Sequence, residues 1–189
     1  MNREDYSLQN KLKRKLKQLA KIFNFDEVLA VNSNPQTISQ YYSINKTPYS
    51  LFHSRAGLIH LGISRDLKYK AEDLLEPAKF VGGYIEKLCA KDVLEPATGR
   101  GANSLFLSRK FPGTKFCGLD LPNGHIDLAK SKVRLVNNFK VLEGDYHDLG
   151  IFKDASFDVV FIIEALCYSQ KKWDVFKEVK RILNLVGCL

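Results

Sequence analysis

The 189-residue chain is predicted to fold as a doubly wound α/β protein, a parallel sheet with helices on both faces. Three observations predict it. From Asp92 onward, short apolar runs alternate with helix-like stretches: VLE then NSLFLSRKF, KFCGLD then HIDLAKSKV, FKVLEGD, and FDVVFIIE then WDVFKEVKRIL. Alternation of this kind implies parallel strands joined by right-handed helical crossovers. The turn after the first run, Glu95-Pro-Ala-Thr-Gly-Arg-Gly-Ala-Asn103, places Gly99 and Gly101 just before a helix. Finally, acids stand at the ends of the runs, at Glu95, Asp120, Asp145 and Glu164, which is where such sheets bind ligands.

Composition supports a folded, water-facing protein. At 21.5 kDa with 45% hydrophobic and 26% charged residues, the chain has enough apolar surface to bury a core, which excludes disorder for most of its length. Its longest apolar stretch, Phe157 to Leu166, is broken by Asp158 and Glu164 and falls short of the roughly 20 residues that span a bilayer. The charged start, MNREDYSLQNKLKRK, lacks the apolar centre of a signal peptide, so a cytoplasmic location is expected. Cys89, Cys117, Cys167 and Cys188 form no CxxC pair. They are expected to be reduced, mostly buried thiols, with no metal site.

Residues 1–31 read as a basic amphipathic helical extension. Leu8, Leu12, Leu16, Leu19 and Phe23 line one helical face, while Lys11, Lys13, Arg14, Lys15, Lys17 and Lys21 cluster with no acid among them. Such a stripe suits packing on the protein's own domain or peripheral contact of residues 8–23 with a membrane. Nucleic acid is a poorer fit despite the net charge of +8, because no aromatic rings interleave with the cations. Residues 32–90 read as a helical and aromatic cap. Asn32-Ser-Asn-Pro35 is a turn, QYYSINKTPYSLFHSRAGLIHLG supplies loops and short helices, and Leu74, Ala78, Val81, Ile85 and Leu88 repeat at helical spacing across Gly82-Gly83. Residues 91–189 hold the sheet.

Two glycines at a strand-to-helix turn let the backbone approach a ligand without a Cβ in the way. A dinucleotide fingerprint would ask for a third glycine where Ser104 stands, and no G-x-x-x-x-G-K-[ST] cradle for a triphosphate occurs. Asp120 lies 19 residues beyond Gly101, close to the spacing of about 20 for an acid that accepts both ribose hydroxyls. Asp145, behind Gly144, suits an exocyclic amine. Arg100 is expected to turn its head into solvent, and His125 and His147 to lie on the surface, the latter capping a loop.

In order, VLEPATGRGANSLFLS, FCGLDL, VLEGDYHDL, SFDVVFIIEALCYS and VFKEVKRILNLVGCL resemble the successive motifs of class I S-adenosylmethionine-dependent methyltransferases, which have a Rossmann-like sheet. The likeness is nearest to the small-molecule enzymes of sterol, tocopherol and ubiquinone type. The resemblance implies S-adenosylmethionine as cofactor, with Glu95, Gly99 and Gly101 facing its methionine part. It implies Asp120 on the ribose, Leu121 beside the adenine, and Asp145 with Tyr146 at the adenine edge. Ala97 stands at the family's first loop glycine, a mild change provided its φ is negative. The implied acceptor is small and apolar, prenylated or lipid-like; the alternatives are a nucleic-acid or protein methyltransferase and a non-catalytic adenosyl-binding fragment. Glu164, Tyr168 and His60 are the leading acid–base candidates, followed by Tyr42 and His53. Tyr168 replaces the histidine common in sterol-type enzymes. Tyr41, Tyr42, Tyr49 and Phe52 would shape an acceptor pocket or simply pack. Gly187-Cys-Leu189 corresponds to the entry into the fifth strand, so a truncated sheet is expected, its fourth strand left for a partner chain or self-association to cover.

Overall fold

The computed structural model describes residues 3–24, 26, 35–49, 51, 56–64, 66, 68, 70–122 and 124–184. Backbone contacts divide the chain into one unit at residues 1–33 and a second at residues 34–189. The first holds α1 (Arg3–Leu19), whose last turn continues as Ala20 donates to Leu16 O and Phe23 to Leu19 O. Among the described residues, no helix is long and apolar enough to cross a membrane.

The second unit is the α/β structure. Strands β1 (Asp92–Pro96), β2 (Lys115–Asp120), β3 (Phe139–Glu143) and β4 (Val159–Val160) form one all-parallel sheet in the order β3-β2-β1-β4. The order reverses beside β1, so the loop after β1 stands at the carboxyl-end switch point where sheets of this kind bind ligands. Helices α2 (Pro35–Ile44), α3 (Glu76–Lys87), α4 (Ala102–Lys110), α5 (Gly124–Lys132) and α6 (Lys172–Ile182) complete the framework. A helical turn at Lys46–Pro48 follows α2, and a 3-10 turn at Ala71–Leu75 leads into α3.

Strand alternation builds two cores. On one face Val93, Phe116, Phe139 and Val159 pack with Ala78, Val81 and Ile85 of α3 and with Leu105 and Leu107 of α4. On the other, Leu94, Cys117 and Leu119 pack with Leu149, Phe157 and Ile182. Successive residues of a strand point to opposite faces, so a run such as VL must be apolar throughout when both faces are covered.

The fourth strand is shorter than the FDVVFIIE run predicts. Asp158 N–H donates to Asp92 O and Phe161 N–H to Leu94 O, but the ladder stops there. Glu164 takes a φ of 52°, which turns the chain away from the sheet. On the far side of β4, Phe157 is bridged in parallel to Leu183, and Asn184 N–H donates to Phe157 O at 2.7 Å. Gly187, Cys188 and Leu189 lie outside the described residues. Cysteine exposure also departs from expectation: Cys117 is buried, whereas Cys89 and Cys167 are exposed.

Leu94 sits at 0% exposure in the middle of the sheet. Leu94→Ala is expected to lower the unfolding free energy by about 2–5 kcal/mol, read from the urea midpoint.

Candidate functional site

The site begins at the buried end of β1. Glu95 is 2% exposed, and its carboxylate accepts from Thr98 Oγ1 at 2.6 Å, Ser104 Oγ at 2.6 Å and Asn103 Nδ2 at 3.1 Å. Burial pushes its pKa above the usual carboxylate value, against the pull of those three donors. The loop is therefore wrapped around one acid. Thr98 N–H also donates to Leu119 O at 3.0 Å, which requires β2 to have no side chain at Gly118, where a Cβ would lie 2.8 Å from Thr98.

Gly99 and Gly101 take φ values of 56° and 66°, the left-handed region open to glycine. Ala97 takes 57°, not the negative φ expected for an alanine there. The loop imposes the same left-handed bend at all three positions, and Ala97 bears it with a Cβ, at a strain of about 1–2 kcal/mol.

Gly99 N–H donates to Asp120 Oδ2 at 2.6 Å, joining the glycine turn to the end of β2, and Leu121 N–H donates to Asp120 Oδ1 at 2.8 Å. The half-buried carboxylate is acceptor-only when ionised. At the end of β3, Asp145 Oδ1 meets the N–H and Nδ1 of His147, whose Nε2 faces Ser169 Oγ at 2.8 Å. His147 is thus a half-buried clasp between the loops after β3 and β4. Beside it, Tyr146 donates to Ala165 O at 3.4 Å. Burial, and then the charges of Asp145, Cys167, Asp120 and Tyr168, push its phenol up to about 12.

The cap closes over these loops. Ser39 Oγ of α2 donates to Pro122 O at 2.7 Å, and Tyr42 OH donates to Tyr168 OH at 3.2 Å. Burial, then Tyr168, hold the Tyr42 phenol well above the ordinary tyrosine range. Ile59 lies over the glycine turn, 3.0 Å from where a Gly99 Cβ would be. His53 and Phe52 lie outside the described residues.

Two candidate acid–base groups, His60 and Glu164, meet at one residue of this cap, Leu61. His60, 6% exposed, directs Nδ1 at Leu61 O at 2.8 Å, while Leu61 N–H donates to Glu164 Oε2 at 3.1 Å. His60 Nε2 lies 3.0 Å from Asn103 Oδ1, and Asn103 Nδ2 leads on to Glu95. A carbonyl only accepts, so Nδ1 carries a hydrogen. His60 is thus linked to Glu95 through the Asn103 amide.

Two expectations are overturned next to the loop. Arg100 is 3% exposed, not solvent-directed: its guanidinium donates to Lys46 O at 2.7 Å, and burial lowers its pKa. His125 is 1% exposed, not superficial, with its ring 5.3 Å from Tyr42 and 6.0 Å from Tyr49. Burial, then Arg100 and Lys46, lower its pKa to about 4. Both side chains are covered by residues distant in sequence, a contact no local pattern announces. The Glu95–Thr98–Asn103–Ser104 knot was likewise missed, although its signal was present as three short polar residues within nine positions of an acid.

The methyltransferase domain family matches residues 94–189, just over half of the chain. The phthiotriol/phenolphthiotriol dimycocerosates methyltransferase of Mycobacterium tuberculosis is 37% identical over 53% of this chain and 36% of its own length. The fatty-acid O-methyltransferase of Mycolicibacterium smegmatis is 33% identical over 51% of this chain and 35% of its own length. The chain thus spans about a third of the length of the curated relatives it matches. Among solved structures, the [4+2]-cyclase SpnF superposes with a TM-score of 0.70 at 17% identity, covering 81% of this chain and 58% of that one, a likeness of fold alone. Fold and family match agree: the chain belongs to the methyltransferase domain family, with the Rossmann-like sheet of its class I S-adenosylmethionine-dependent members.

The residues present fit the cofactor that this family implies. Gly99 and Gly101 leave a backbone without Cβ atoms, and Asp120 beside them only accepts hydrogen bonds, as vicinal hydroxyls require.

Two outcomes follow. Ala97→Gly is expected to stabilise the fold by about 0.5–1 kcal/mol, the released strain less the added freedom of the unfolded chain, read by urea unfolding. Because His125 titrates at about 4 when folded and at 6.5 when unfolded, its share of stability is full above pH 6.5 and lost as pH falls through 4. In thermal melts across that window, His125→Phe is expected to show a flatter decline in Tm than the wild type.

Proposed function

We propose that this protein holds S-adenosylmethionine at the glycine turn and directs its methyl group to a small, apolar or lipid-like acceptor. The observation that carries the reading is the direct bond from Gly99 N–H to Asp120. It joins a Cβ-free turn to a carboxylate suited to ribose, under a cap of tyrosines. In this reading Asp120 accepts the ribose hydroxyls, Leu121 and Tyr146 flank the adenine, and Asp145 meets its amino edge. Ala97, Gly99 and Gly101 offer backbone to the methionine part. Glu95, saturated by Thr98, Asn103 and Ser104, acts as a positioning residue that sets the shape of the loop.

When bound, the cofactor supplies an electrophilic methyl on a positively charged sulfur, and its departure in line needs only donor and acceptor held in attack geometry. Tyr42 and Tyr168, linked by their hydroxyls, form the wall against which an apolar acceptor packs. Glu164, exposed with one oxygen on Leu61 N–H, is placed to take the proton an acceptor hydroxyl or carbon gives up. His60, engaged at both nitrogens, orients Leu61. Support for the acceptor class comes from these aromatic walls and from relatives whose names specify a fatty acid and dimycocerosates.

The test is thermal unfolding with S-adenosylhomocysteine and, separately, NAD. At about 100 times its dissociation constant, S-adenosylhomocysteine is expected to add about 2.7 kcal/mol of stability, while NAD adds none. Asp120→Ala should abolish that gain. A folded wild type indifferent to S-adenosylhomocysteine would overturn the cofactor assignment, and binding with no transfer to any fatty-acid or prenylated acceptor would overturn the acceptor class.

A further inference from the structure

We propose that α1 is an interfacial anchor that lays this protein on an anionic lipid surface. Every described residue from Asn10 to Asn24 is exposed, including Leu12, Leu16, Leu19 and Phe23 at 52, 53, 44 and 52%. At α-helical spacing these four side chains fall within an arc of about 60°. The turn beyond Leu19 keeps Phe23 on the same spiral, because its N–H donates to Leu19 O at 2.9 Å. The result is a narrow apolar stripe facing water.

The charges choose its occupant. Lys11, Lys13 and Lys15 flank the stripe, Arg14, Lys17 and Lys21 lie behind it, and residues 10–24 contain no acid. Lysines beside an apolar stripe lay their stems along it and lift their ammonium heads to the level of lipid headgroups, while the leucines enter the acyl boundary. An uncharged protein groove would leave six cations without counter-charge. A nucleic acid would satisfy the cations and leave the leucines in water, since no aromatic ring is interleaved to stack on bases. An anionic bilayer meets both halves of the helix at once, and each cation near it multiplies the partition about fivefold. The anchor does not depend on what the catalytic unit binds, so its test is separate from the cofactor test.

The experiment is co-sedimentation of the full chain with vesicles of phosphatidylcholine alone and of phosphatidylcholine with phosphatidylserine, at low and high salt. Binding to the anionic vesicles only, weakening as salt rises, is expected. Leu16→Asp should lower the partition about tenfold, and the triple change Lys13→Glu, Lys15→Glu, Lys17→Glu about a hundredfold, neither altering Tm. Equal binding to both vesicle types, or binding that survives Leu16→Asp, would overturn the proposal. So would a Tm lowered by Leu16→Asp, which would mean that the stripe packs on the protein. Tight binding of a duplex oligonucleotide, unaffected by Leu16→Asp and displacing the vesicles, would assign the cations to nucleic acid instead.

Discussion

A carboxylate removed from water must be given donors or a proton, and the site grows from that demand at Glu95. Its position at the end of a central strand, on the face covered by α4, leaves it no solvent. The chain answers by folding the next nine residues back, so that Thr98, Asn103 and Ser104 reach it. That wrap forces the left-handed turns at Ala97, Gly99 and Gly101. It also aims the Gly99 N–H at Asp120, so the geometry of the glycine loop is a consequence of satisfying one buried acid.

The same acid connects the loop to the cap. Asn103 serves Glu95 with one end of its amide and His60 with the other, and His60 passes the link through Leu61 to Glu164. Three segments far apart in sequence thereby share one polar network. A parallel set of rings, Tyr42, Tyr49 and Tyr168, joins the cap to the loop after β4 and packs against His125, while the Lys46 carbonyl accepts from Arg100.

Much of the sheet was legible because parallel strands covered on both faces must be apolar at consecutive positions, which makes runs such as VLE and KFCGLD conspicuous. The glycines before α4 and the acid at the end of β2 were legible for a related reason: a ligand crevice needs bare backbone and an acceptor at fixed strand ends. The extent of β4 was not legible, since IIE looks like strand continuation. Only the turn at Glu164 and the cap decide that the chain leaves the sheet.

By itself the sequence determined the α/β class, the order of strands and helices, the positions of Gly99, Gly101 and Asp120, and the basic stripe of α1. These are properties of period, spacing and residue type along the chain. Tertiary structure alone decided that Arg100 and His125 are buried, that Ala97 is left-handed, and that His60, Asn103 and Glu95 form one network. Each of those depends on which distant residues arrive to exclude water or offer a hydrogen bond, and the environment of a side chain is set by neighbours that sequence distance does not reveal.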